Sequence, residues 1–222
     1  MTVSHRFVVV VALFVTCLIT ANIIVVKQIS IGGIILPAAI IIFPLSYIIG
    51  DILTEVYGYQ QARRVIWLGF LCNLVVVLAI WVGGKLPTAP VFEAQTAYER
   101  ILGSTPRFLV ASFLAYLVGE FTNSFVLARM KILTKGRWLW TRTIGSTFVG
   151  QGVDTLVFLT IAFLGALPIS VLGIMILSHW LVKSAYEVIA TPLTYVVVGY
   201  LKRKEGVDVY DYEIDFNPLR VI

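Results

Sequence analysis

Residues 7–26 read FVVVVALFVTCLITANIIVV, twenty in succession without a charge. At about 1.5 Å of rise per residue, such a helix covers about 30 Å, the thickness of a bilayer's hydrocarbon core. Apolar runs of similar character follow at 34–57, 65–83, 108–128, 143–167 and 170–200. The chain therefore reads as one all-α polytopic membrane domain over residues 1–222, with six transmembrane helices and an acidic tail at 201–222. Its hydrophobic content of 59% and mean hydropathy of +0.94 exceed those of a soluble domain. A cleaved leader fits the first run less well, because the run outlasts the ~7 to 15 apolar residues of a signal core and lacks a small-x-small cleavage site. Ala12, Thr16 and Thr20 also recur every four residues, as on a helix-packing face.

Basic residues set the orientation. On one side of a six-helix path lie Arg6, Arg63, Arg64, Arg129, Lys131, Lys135, Arg137, Arg142, Lys202, Arg203, Lys204 and Arg220; the other side holds only Lys27, Lys85, Arg100 and Arg107. The positive-inside rule then places both termini and the acidic tail in the cytoplasm. The net charge of +5 follows from this topology and calls for no nucleic-acid partner. Trp81, Trp138 and Trp140 sit where an interfacial aromatic belt is expected. In the outer segment 84–106, Val91, Phe92, Tyr98, Ile101 and Leu102 can share one face of a short interfacial helix. The tail, with Asp208, Asp211, Glu213 and Asp215, is either a solvated segment or a partner for the basic loop 129–142.

Several chemistries are excluded. Cys17 and Cys72 both lie in spanning runs and read as packing residues, no Cys/His cluster has metal-ligand spacing, and no P-loop is present. No cofactor or metal is expected. An intramembrane serine protease needs a serine and a histidine together, but His179 is the single histidine inside a span and no Gly-x-Ser-Gly accompanies it, so the chain does not read as an enzyme.

What remains is a set of charges inside the spans: Asp51, Glu55, Glu120, Asp154, Lys183 and Glu187. Charged side chains in a bilayer are costly and usually face a polar cavity. Tyr47, Asp51 and Glu55 lie at four-residue steps on one face after Pro44, and Glu55 near the boundary can pair with Arg63 or Arg64. Asn123 and Ser124 share the face of Glu120, an arrangement that can grip a ligand or simply glue helices together. Gln151, Asp154 and Thr155 extend one face from Thr147, with Phe158 beyond. His179, Lys183 and Glu187 run at four-residue steps, so Lys183 and Glu187 can neutralise each other along their helix. Glu120, Asp154 and Lys183 fall near the bilayer midplane, where transporter cargo binds. Three spans on each side of the outer segment, with Gly50-Asp51-x-x-Thr54 in the second and Gly152-Val153-Asp154-Thr155 in the fifth, also admit two inverted three-helix repeats.

Taken together, Asn22; Phe43-Pro44, Tyr47, Asp51, Glu55, Tyr57-Gly58 and Ala62-Arg63; Ala115-Tyr116, Gly119-Glu120-Phe121 and Asn123-Ser124; Ser146-Thr147, Gly150-Gln151, Asp154-Thr155 and Phe158; and Lys183, Glu187, Thr191-Pro192 and Tyr195 resemble the queuosine-precursor transporter family, also called the vitamin uptake transporter type. The tail from Asp211-Tyr212 to Asp215-Phe216-Asn217-Pro218 is similar as well. Several members carry Glu where this chain has Gln151. The resemblance implies a six-helix inner-membrane importer of 7-cyano-7-deazaguanine or 7-aminomethyl-7-deazaguanine, bases used to make a modified tRNA nucleoside.

The expected substrate site is Asn22, Tyr47, Asp51, Glu120, Asn123, Gln151, Asp154, Lys183 and Glu187, with Tyr116, Phe121 and Phe158 as candidates to stack on a flat ring. A guanine-like edge offers two adjacent donors to a carboxylate and one carbonyl to Lys183, Asn123 or Gln151. The expected partners are a small heterocyclic base and membrane lipid, and a homodimer is compatible with both. The alternatives are a non-transporting membrane scaffold or sensor, and the substrate-binding subunit of an energy-coupling-factor vitamin transporter. That subunit would add an ATPase and a coupling subunit as partners, docking on the face of Ala12, Thr16 and Thr20.

Overall fold

The computed structural model describes residues 4–31, 34–103 and 106–220. Among these, six helices are long and apolar enough to cross a membrane. They are α1 (His5–Ile24), the stretch Ala38–Tyr57 whose α-helical part is α2 (Phe43–Tyr57), α3 (Tyr59–Lys85), α5 (Pro106–Leu133), α6 (Leu139–Phe163) and α7 (Ile169–Glu205), and a short α4 (Gln95–Leu102) stands between α3 and α5. Ser4 caps α1 by accepting from the Phe7 backbone N–H at 3.0 Å.

The run 34–57, expected as one helix, divides. Gln28–Ile31 (β1) and Ile34–Pro37 (β2) pair antiparallel, Ala38–Ile41 forms one 3₁₀ turn, and α2 begins only at Phe43. The isoleucines at 29, 31, 34 and 35 favour extended backbone, and Pro37 and Pro44 bear no amide donor, which suits helix starts rather than interiors. In the segment 84–106 the helix is confined to α4; Val91 and Phe92 precede it, and residues 104 and 105 lie outside the described residues.

The shortened α2 is the hub of the bundle. It packs against α1, α3, α5 and α7, and almost every side chain along it is buried. α5 and α6 form the most extensive helix pair. Glycines let them approach: a Cβ at Gly119 would stand 2.7 Å from Asp154 Cβ, and one at Gly150 would stand 2.7 Å from Asn123 Cβ. The polar residues on these two helices thus meet because small residues flank them.

The start of α1 and the end of α7 meet at the end of the bundle that carries the basic loop. Arg6 lies 3.5 Å from Glu205, and Phe7 packs edge-on to Tyr57 with ring centroids 4.9 Å apart. The tail after Gly206 is docked against this end. Lys131 Nζ donates to Asp208 Oδ1 and to the Val209 carbonyl, both at 2.6 Å; the Tyr59 backbone N–H donates to Asp211 at 2.9 Å; and Arg129 lies 4.5 Å from the Phe216 ring. Gly58, at φ +84°, turns α2 into α3 and leaves room for Val209, whose Cγ1 would stand 2.6 Å from a Cβ there. Of the two readings of the tail, pairing with the basic loop is the one the structure adopts.

Candidate functional site

Glu55 separates from the other intramembrane carboxylates. It accepts from Arg142 Nε and Nη2 at 2.7 and 2.8 Å and from Lys202 Nζ at 2.5 Å, with Lys131 Nζ 3.7 Å away. The expected pairing with Arg63 or Arg64 does not form, because the tail takes Arg63: its Nη1 donates to the Asp215 and Asn217 carbonyls at 2.9 and 2.7 Å. Every Glu55 oxygen therefore faces a cation that ties α2 to α5, α6 and α7. That is a structural lock.

One to two turns deeper the balance reverses. Asp51 is fully buried on α2, and its Oδ1 accepts from Asn123 Nδ2 of α5 at 2.7 Å while Oδ2 has no protein donor. Glu187 of α7, Glu120 of α5 and, one turn along its own helix, Glu55 are its charged neighbours. Glu120, near the middle of α5, is 1% exposed, and neither of its oxygens is met by a donor. Asp154 of α6 lies beside it and binds Lys183 of α7, Nζ to Oδ2 at 2.7 Å. Tyr47 stands among Asp154, Glu120 and Asp51 with its hydroxyl unpartnered. Thr147, Gln151 and Thr155 on α6 and Glu187 on α7 each add a buried oxygen without a partner.

The cluster thus gathers Tyr47, Asp51, Glu120, Asn123, Asp154, Lys183 and Glu187 from four helices, with Gln151 on the same α6 face. The expected Lys183–Glu187 pair is replaced by the interhelical Lys183–Asp154 pair, since α6 presents a carboxylate to Lys183 directly. Asn22 is engaged elsewhere, donating to Asn73 at 3.2 Å and accepting from Ser112 at 3.4 Å between α1, α3 and α5. The stacking candidates also have other partners. Tyr116 donates to the Ile66 carbonyl at 2.9 Å, Phe121 lies on Trp67 with centroids 5.9 Å apart, and Phe158 lies on Phe108 at 6.3 Å.

Phe43 also reaches the cluster. The Lys183 ammonium stands 4.7 Å from its centroid, and Tyr47 packs on it at 5.5 Å. Phe43 lies four residues before Tyr47 on the Asp51 face, so helical spacing could have found it. Thr147 and Thr155, four residues either side of Gln151, carry the same signal.

Buried polar atoms in proteins almost always find partners, because each one left bare costs about 1 to 3 kcal/mol. A concentration of bare oxygens at one depth in a bundle is the mark of a site completed by something other than the protein. Residues 37–197 match the family described as "Putative vitamin uptake transporter". The chain belongs to this family. It is 33% identical over 190 residues to the "Probable queuosine precursor transporter" of Bacillus subtilis (strain 168), covering 84% of this chain and 82% of that one. It is 30% identical over 121 residues to the protein of that name from Haemophilus influenzae, covering 54% and 49% of the two chains. It is 28% identical over 130 residues to the "Queuosine precursor transporter" of Escherichia coli (strain K12), covering 54% and 52%. No solved structure matches. The protein is a multi-pass membrane transporter and not an enzyme, and the matched region holds every residue of the cluster.

Proposed function

We propose that this transporter imports 7-deazaguanine precursors of queuosine, 7-cyano-7-deazaguanine or 7-aminomethyl-7-deazaguanine, across the cell's inner or plasma membrane. The observation that carries the proposal is the set of buried acceptor oxygens on Asp51, Glu120, Asn123, Gln151 and Glu187. A guanine-like base carries an amino group and ring N–H groups along its edges, and a carboxylate such as Glu120 can accept two of them side by side. Tyr47 and the α6 threonines can donate to its carbonyl, and Phe43 supplies a ring edge or face. The names of the relatives support the same cargo. The distribution of basic residues supports a cytoplasmic position for both termini. Asp51 and Asp154, the paired positions of the two chain halves, stand in the same cluster, which supports the inverted-repeat reading.

The energy-coupling-factor reading keeps one favourable observation, an apolar groove beside α1 lined by Phe7, Val8, Val11, Ala12, Val15, Thr16 and Leu68, where a coupling helix could lie. Uptake of radiolabelled 7-deazaguanines into proteoliposomes containing this protein alone separates the two. Uptake without ATP supports the solitary importer, and uptake only with an added ATPase and coupling subunit supports the alternative.

A further inference from the structure

The unmet capacity of the site has a sign. Asp51 Oδ2, both Glu120 oxygens, Asn123 Oδ1, Gln151 Oε1 and Glu187 Oε1 are acceptors, each on a side chain no more than 2% exposed. The other unpartnered atoms of the cluster are hydroxyls, which can donate or accept. Four carboxyl groups, on Asp51, Glu120, Asp154 and Glu187, face one ammonium, that of Lys183. Glu55 is left out of this balance because Arg142 and Lys202 already neutralise it at the basic end. A ligand that completes this site brings hydrogen-bond donors and positive charge.

Lys183 shows how such a charge is held. Its ammonium sits 2.7 Å from Asp154 Oδ2 and 4.7 Å from the Phe43 centroid, a carboxylate and an aromatic face enclosing one cation. It also has a way out. Its side chain is 18% exposed, against 7% for that of Asp154, and it borders a small cleft lined by Pro37, Ile40, His179 and Val182. An ammonium displaced from Asp154 would move toward this cleft, which Lys183 already borders.

We propose that the site selects heterocycles bearing a primary ammonium group, and that Lys183 is a tethered stand-in for that ammonium, held on Asp154 until cargo displaces it. This rests on the importer reading and narrows it. The 7-aminomethyl group carries a cation into the place Lys183 vacates, whereas a 7-cyano group ends in a nitrogen that only accepts and would meet bare carboxylates. Displacement also makes binding an exchange of one cation for another, so the carboxylates are not left without a counter-charge.

The test is equilibrium binding to the purified full chain in detergent, with radiolabelled 7-aminomethyl-7-deazaguanine displaced by the unlabelled aminomethyl, hydroxymethyl and cyano compounds. The hydroxymethyl compound matches the aminomethyl one in size and lacks its charge. The wild type is expected to prefer the aminomethyl compound by about tenfold or more, the value of one charge-assisted hydrogen bond. Lys183→Met is expected to bind it at least as tightly as the wild type, because the competing ammonium is gone. The Asp154→Asn, Lys183→Met double variant is expected to bind the aminomethyl and hydroxymethyl compounds within about threefold of each other. Equal wild-type affinities, or a preference that survives in the double variant, overturn the inference while the importer reading stands. A monodisperse double variant that binds neither compound assigns Asp154 to the ring and overturns it too. Should the double variant aggregate, Lys183→Met decides alone, and a tenfold loss of aminomethyl affinity is the contrary result. If no compound binds the wild type, both readings fall.

Discussion

Glu55 and Glu120 are both buried carboxylates within apolar runs, and their partners assign them opposite roles. Glu55 holds Arg142 and Lys202 at 2.5 to 2.8 Å, so Glu55→Gln strands buried cations and is expected to cost about 3 to 5 kcal/mol. Glu120 has no donor on either oxygen, so Glu120→Gln breaks no interaction within the protein and is expected to leave stability unchanged or raise it. Thermal unfolding of both variants in detergent checks this, and a comparable loss in each would contradict it. Hydropathy marked both residues as intramembrane charges but could not tell them apart. Arg142 stands 87 positions from Glu55 in the chain, and only the packed bundle shows which carboxylates are answered. Local spacing was a fair guide to membership of a face, as for Tyr47 and Asp51, and a poor one for pairing, as Lys183 with Glu187 shows.

Among the elements, α2 and the tail were least legible. Mean hydropathy does not distinguish a strand from a helix, so the isoleucine-rich residues before Pro37 merged with α2 into one run. The tail lacks apolar periodicity, and its docking depends on Lys131, Tyr59 and Arg129 from elements far away in sequence. Burial pushes the Asp208 carboxyl up, but hydrogen bonds from Lys131 and Lys202 outweigh it and hold the group below its ordinary value. A carboxylate held low in the folded state stabilises docking above its unfolded pKa of about 3.9, and that contribution fades as pH falls through the lowered value. Burial holds Asp211 above its ordinary value despite the hydrogen bond from the Tyr59 backbone, which an amide oxygen accepts equally well. Asp208→Asn is therefore expected to speed tryptic cleavage at Lys202–Lys204 at neutral pH, and Asp211→Asn to leave it unchanged. Equal rates for Asp208→Asn and the wild type would mean that the ion pairs do not hold the tail.

For the whole molecule, the expectation of six spanning helices stands on composition alone, because an uncharged twenty-residue run has few other uses. Orientation rests on charge bias and is a separate claim. Single cysteines at Thr134 and Gly206 are expected to react with impermeant reagents only from the cytoplasmic side, and one at Ala94 only from outside. Labelling of position 134 from outside would reverse the orientation.

If the bare carboxylates at the centre of the bundle grip cargo, their loss shows in the initial rate of radiolabelled 7-aminomethyl-7-deazaguanine uptake into proteoliposomes holding equal amounts of wild type or Glu120→Gln. The carboxylate's charge-assisted hydrogen bonds to cargo predict a loss of about tenfold or more in the variant, with stability preserved. Uptake by Glu120→Gln at the wild-type rate would contradict the account.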